Sequence, residues 1–369
     1  MKKSLFIAAL AVVAMASCTK NELKVPSAGT EAEISFQPVV ANATKASYLT
    51  TENMKTACTE FAVFAWYAEP TLTESGTATA YMKNVPVEYS SEDYDTKPGT
   101  GAWVPSTTYY WPKNGTLSFD AYAPYSAHSD SPSAGTGTIK STPEEGLQIA
   151  NYTVADLANQ YDLLFSGRAL NKTTSVEGNA FYDGVDIPFK HALSAIEVQA
   201  NTLADYGTGT IKLQAITILN AYNNGKFTQG MTNAVAEGTP DWSSQSNEVS
   251  YELYKNTGSL AEGAALSMVP LTSSTTPAIS NAILLPQDFD HGSNKVSIKV
   301  DYTIKCDSGD LAQTQTFDLN NTFDGSTPLT GWEIGKKYTY RLIFSLNKVY
   351  FAPSVGDWTN VNVNQIDVK

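Results

Sequence analysis

Apolar positions along this chain recur every second residue in short runs, and almost nowhere at the three-to-four spacing of an amphipathic helix. Glu33-Ile34-Ser35-Phe36-Gln37-Pro38-Val39 alternates as a strand with one buried face does. Phe61 to Tyr67 is apolar nearly throughout and predicts a strand buried on at least one side. Thr108-Tyr109-Tyr110-Trp111 and Thr116-Leu117-Ser118-Phe119 flank Asn114-Gly115, the pair that suits a type I′ hairpin turn, and the second arm runs on to Pro124. Later strands are expected at 185–189, 195–199, 211–219, 282–285, 296–302 and 337–346, with a last alternating run at 359–368. Residues 126–146 and 166–184 are rich in turn formers and predict long loops, while 154–160 suits one or two helical turns. Short strands between Gly, Pro and Asn loops predict an all-β fold of antiparallel sandwiches, and 369 residues are enough for two. The boundary is expected after the second loop, giving units 46–184 and 185–369.

The first residues break this pattern. Met1-Lys2-Lys3 is basic, and Leu5 to Met15 is an almost unbroken apolar run, too short to span a bilayer. Residues 1–17 therefore predict a secretory signal. It stops at Met15-Ala16-Ser17-Cys18, which resembles the lipobox cut by bacterial lipoprotein signal peptidase, with Met15 where Leu is usual. That resemblance implies cleavage before Cys18 and acylation of its sulfur, which attaches the protein to a membrane at about 0.8 kcal/mol per buried methylene. The alternative is an ordinary signal with an incidental cysteine. Thr19 to Ala32 is polar and aperiodic, as suits a tether.

Charge narrows the partners. The chain has 24 basic and 37 acidic residues, a formal net charge of −13, and removal of a leader holding two Lys and no acid takes it to −15. A nucleic-acid partner is excluded, and so is electrostatic attachment to anionic lipid. Three His and three Cys leave little for a metal site, and His128, His191 and His291 lack ligand-spaced neighbours. Phosphate-cradling, zinc-protease and nucleophile-elbow motifs are absent, and Gly331 to Lys336 is one residue short of the phosphate loop. His191 reads as a hydrogen-bonded structural residue, Asp93 and Asp95 as a solvated loop, and Cys58 and Cys306 as two buried thiols rather than a disulfide. Trp103, Tyr109 and Trp111 suit a core, with a sugar-stacking role as the alternative. No cofactor and no enzymatic activity are expected.

Several blocks in fixed order carry a resemblance. They are Ile34-Ser35-Phe36, Thr44-Lys45-Ala46, Phe61 to Ala65, Tyr109-Tyr110-Trp111-Pro112 and Leu117 to Pro124. Asp162-Leu163-Leu164, Phe189 to Ser194, Leu285-Pro286-Gln287, Gly335 to Tyr340 and Asp357-Trp358 follow. Together the chain resembles the fimbrillin-like lipoproteins of the Bacteroidetes, subunits of type V pili. The resemblance implies two tandem transthyretin-like β-sandwich domains, export to the cell surface, and proteolytic removal of the first strand, so that segment 18–45 is a removable arm. Loss of Ile34, Phe36 and Val40 would open a groove for an extended segment of another fimbrial subunit. Val361, Val363, Ile366 and Val368 are the candidate plugs, with a bulge where the alternation breaks. The family's cleavage residue is Arg, whereas here Lys45 precedes Ala46 at the matching place and the two arginines, Arg168 and Arg341, lie far away. Adhesion to a host or bacterial surface ligand is also implied. The runner-up reading is a surface glycan-binding lipoprotein.

Overall fold

The computed structural model describes residues 33–40, 49–51, 53–75, 77–91, 101–127, 138–173, 184–202, 210–260, 263–266, 278–346 and 349–358. Its first ten strands are β1 (Phe36–Val40), β2 (Glu60–Ala68), β3 (Thr79–Ser90), β4 (Ala102–Pro105), β5 (Thr116–Ala123), β6 (Thr138–Thr142), β7 (Gly146–Thr153), β8 (Leu164–Ser166), β9 (Ala169–Lys172) and β10 (Val185–His191). Then come β11 (Ser194–Thr202), β12 (Ile211–Thr228), β13 (Met231–Asn233), β14 (Ala236–Glu237), β15 (Asp241–Lys255), β16 (Ala264–Ala265), β17 (Ala278–Leu284) and β18 (Gln287–Asp288). The last are β19 (Ser297–Ile304), β20 (Leu311–Asp318), β21 (Phe323–Asp324), β22 (Thr327–Pro328), β23 (Gly331–Trp332), β24 (Lys336–Phe344) and β25 (Val349–Asp357). A single α-helix, Met54–Ala57, is described. The all-β class holds.

The first sheet runs β2-β3-β4-β1-β10-β8-β5-β9, and a β2–β5 pairing closes it on itself. Closure removes free edges and encloses an apolar interior. Every second residue of the strands points inward, so Phe36, Phe61, Val63, Phe119, Ile187 and Phe189 share one core. In the second half the four-stranded sheet β17-β11-β24-β25 faces the sheet β20-β19-β12-β7-β6, to which β15 and β16 also attach through β12. Ile196, Val198, Leu213, Ile216, Ile298 and Tyr340 fill the space between. A third cluster joins the halves, with Phe64 and Tyr122 from the first against Phe227, Trp242 and Ile283 from the second.

The structure departs from the local reading where distant pairing competes with local turns. Two neighbour pairs, β1–β10 and β11–β24, are parallel. Strand β10, expected to open the second unit, pairs with β1 and β8 of the first sheet, while β6 and β7 join the sheet of β12. Pairing thus crosses the expected 184/185 boundary in both directions. The hairpin expected around Asn114-Gly115 does not form. Tyr110 instead bridges Glu33, Tyr109 O accepts from Ile34 N, and β5 pairs with β2. Leu157 to Asn159 is a turn rather than a helix, with Asn159 N–H donating to Asp156 O. Strand β15 escaped notice because its outer face is a run of Ser, Gln and Asn, with Trp242, Tyr251 and Leu253 buried at intervals.

Candidate functional site

Strand β1 and the walls around it form the site. Its burial alternates, with Phe36, Pro38 and Val40 inward and Gln37 and Val39 outward. Ile34, Phe36 and Val40 are only 1–2% exposed, so the structure gathers all three expected first-strand residues into one core. Phe36 meets Phe61 and Phe119 edge-on, with centroids 6.1 and 5.5 Å apart. Phe61 in turn touches Trp103 and Phe189 at 5.2 and 5.5 Å. Burying three such side chains contributes on the order of 5–8 kcal/mol.

The two edges of β1 differ. Val185 N–H donates to Ser35 O at 2.8 Å, which sets odd-numbered residues of β1 toward β10 along the parallel register Phe36↔Val185 to Val40↔Phe189. Even-numbered residues face the other way. There Ile34 N–H donates to Tyr109 O at 2.9 Å, Phe36 pairs with Trp103, and Val40 N–H donates to Thr51 Oγ1 at 2.9 Å. Pro38 has no N–H to offer, and it falls on this sparsely paired side, where a strand tolerates proline. Strand β4 pairs with β1 at one residue only. Side chains, more than ladder bonds, hold β1.

Topology isolates β1 further. Its neighbours β4 and β10 are both remote in sequence, so β1 continues into the fold only through the chain that follows Val40. The return point is anchored: Leu49 N–H donates to Asp162 Oδ2 at 3.0 Å, and the Thr51 hydroxyl also donates to Val40 O at 3.2 Å. Asp162 is buried and receives His191 Nδ1–H at 2.9 Å, which makes His191 the structural histidine expected. Burial also pushes the nearby Cys58 thiol up to about 12. Cys306 is exposed rather than buried, and neither cysteine forms a disulfide.

Trp103 lies 4% exposed in this core, and Tyr109 and Trp111 pack against it. Cys18, Lys45, Ala46, Val361, Val363, Ile366 and Val368 lie outside the described residues. The sequence missed Gly184 and Thr51, which border β1, because neither carries an apolar signal. Among the described residues no three His, Cys, Asp or Glu are grouped to hold a metal.

The sequence profile described as fimbrillin-like matches residues 44–358, most of the chain. The chain belongs to the fimbrillin-like family. The matched span of this fimbrillin-like chain begins after β1 and ends at Trp358, the last described residue. Solved structures share its fold. A fimbrial protein from Bacteroides vulgatus superposes with TM-score 0.60 at 18% identity, covering 89% of this chain and 99% of that one. A candidate cell adhesion protein from Bacteroides uniformis gives TM-score 0.50 at 14% identity, with the same coverage. No functionally curated protein matches by sequence.

Proposed function

We propose that this fimbrillin-like chain is a structural subunit of a cell-surface fimbria that assembles by exchange of strand β1. The carrying observation is that Ile34, Phe36 and Val40 fill a closed sheet from a strand that is bonded well on one edge and sparsely on the other. Its removal would leave a groove walled by Phe61, Trp103, Phe119, Ile187 and Phe189, with β10 offering unpaired backbone groups. An extended segment with alternating apolar residues restores both kinds of contact. The C-terminal segment of another subunit supplies them as Val361, Val363, Ile366 and Val368. On this reading the precursor is a lipoprotein acylated at Cys18 and held at the outer membrane, and cleavage between Lys45 and Ala46 frees the arm. Family membership and the fimbrial protein of Bacteroides vulgatus support the subunit role.

Intact-mass measurement of subunits sheared from the cell surface tests the processing step. An N-terminus at Ala46 is expected, and a mature chain that retains β1 overturns it. Polymerisation is tested separately. SDS-resistant ladders should disappear when residues 359–369 are deleted, and their persistence rules out the C-terminal segment as donor.

A further inference from the structure

A cleft of about 780 Å³ opens where the halves meet, away from the β1 groove. Lys190 and His191 at the end of β10 form one wall, and Asp241 and Trp242 another. Asp288, Glu333, Asp357 and Trp358 complete the rim and floor. The rim holds four carboxylates against one lysine, and that lysine is already paired with Glu237 at 3.3 Å. Asp357 is paired with Lys336, whereas Asp241, Asp288 and Glu333 make no ion pair among the described residues. The cleft is therefore a region of negative potential with uncommitted acceptors.

A second observation points inward. His191 is 3% exposed and lines the cleft, while Asp162, which binds its Nδ1, does not. The Asp162 carboxylate accepts the Nδ1 proton, so the opposite edge of the ring, Nε2, faces the cleft. Nε2 is buried and has no hydrogen-bond partner. A neutral ring in this tautomer presents a lone pair there, so Nε2 also seeks a donor. Leaving such a group unsatisfied costs about 1–3 kcal/mol, which a donating ligand recovers.

We propose that this cleft binds a basic side chain, the guanidinium or ammonium group of a protein partner. Positive charge meets the uncompensated carboxylates, and its N–H groups reach His191 Nε2. A sugar fits less well. Stacking a pyranose needs an open ring face, and Trp242, Trp332 and Trp358 are 6%, 2% and 3% exposed. Trp358 gives one face to His191 at a centroid distance of 4.1 Å.

The test titrates the folded protein with N-acetyl-arginine amide, N-acetyl-glutamine amide and methyl glucoside, following the ¹⁵N resonance of His191 Nε2. The arginine amide should give a saturable upfield shift that weakens as salt rises. An Asp241→Asn/Glu333→Gln double variant should bind it about five-fold more weakly. Both residues are exposed, so the fold survives the changes. No saturable shift with the arginine amide, an equal response to either neutral compound, or unchanged affinity in the double variant overturns the proposal.

Discussion

Gly184 lies against the backbone of Phe36. A Cβ on Gly184 would stand 2.6 Å from the Phe36 carbonyl carbon, and Gly184 holds φ +96°, a region that side chains rarely adopt. The residue that starts the chain into β10 thus sets how closely β1 can dock. Gly184→Ala should destabilise the protein by about 1–3 kcal/mol through backbone strain, with further loss from the contact. Urea denaturation measures it, and an unchanged midpoint refutes the close approach.

Phe36 should dominate the anchoring of β1. Phe36→Ala leaves a cavity against Phe61 and Phe119 and is expected to cost about 3–5 kcal/mol. Val39, next along the strand but 43% exposed, provides the control: Val39→Ala should shift stability by less than about 0.5 kcal/mol. Similar losses at both positions would contradict the observed burial pattern.

Arg168 and Asp120 form a buried ion pair at 2.7 Å. Asp120 also accepts from Ser141 Oγ at 2.7 Å and Trp66 Nε1 at 3.3 Å, while Arg168 donates to the carbonyls of Thr142, Pro143 and Ala234. Asp120→Ala strands a buried guanidinium and should cost about 3–5 kcal/mol, read from the thermal or urea midpoint. A loss below about 1 kcal/mol would show that the network is solvated.

The same burial hides the arginines from proteases. Arg168 and Arg341 are 9% and 8% exposed, each in a strand-rich core. An Arg-specific protease should leave the native chain intact, whereas a Lys-specific one cuts it. Mass analysis of timed digests decides this, and early cleavage after either arginine contradicts it.

Alkali should unfold the protein. Burial raises Cys58 and Tyr161 to about 12, and also raises Tyr152, Tyr251, Tyr338 and Tyr340. These groups hold their protons more tightly folded than unfolded. Their contribution is complete below the ordinary thiol and phenol range, and it falls as pH climbs from there through about 12. Urea midpoints should be lower at pH 11 than at pH 8. In native protein at mildly alkaline pH, iodoacetamide should label Cys306 and spare Cys58, as peptide mapping will reveal.

How much of this was legible in the sequence depends on the range of the interaction. Side chains alternate across any extended strand whatever its partner, so the spacing of Ile34, Phe36 and Val40 was enough to determine a strand with one buried face. The all-β class follows from the same local rule repeated along the chain. Pairing is different, because it joins segments far apart and no local pattern encodes the neighbour. Only the tertiary structure put β1 parallel to β10, gave Ile34 rather than β5 to Tyr109, and carried β10 into the first sheet. It alone brought Gly184 onto Phe36, and it turned His191 into a residue that faces Asp162 on one side and a cleft on the other.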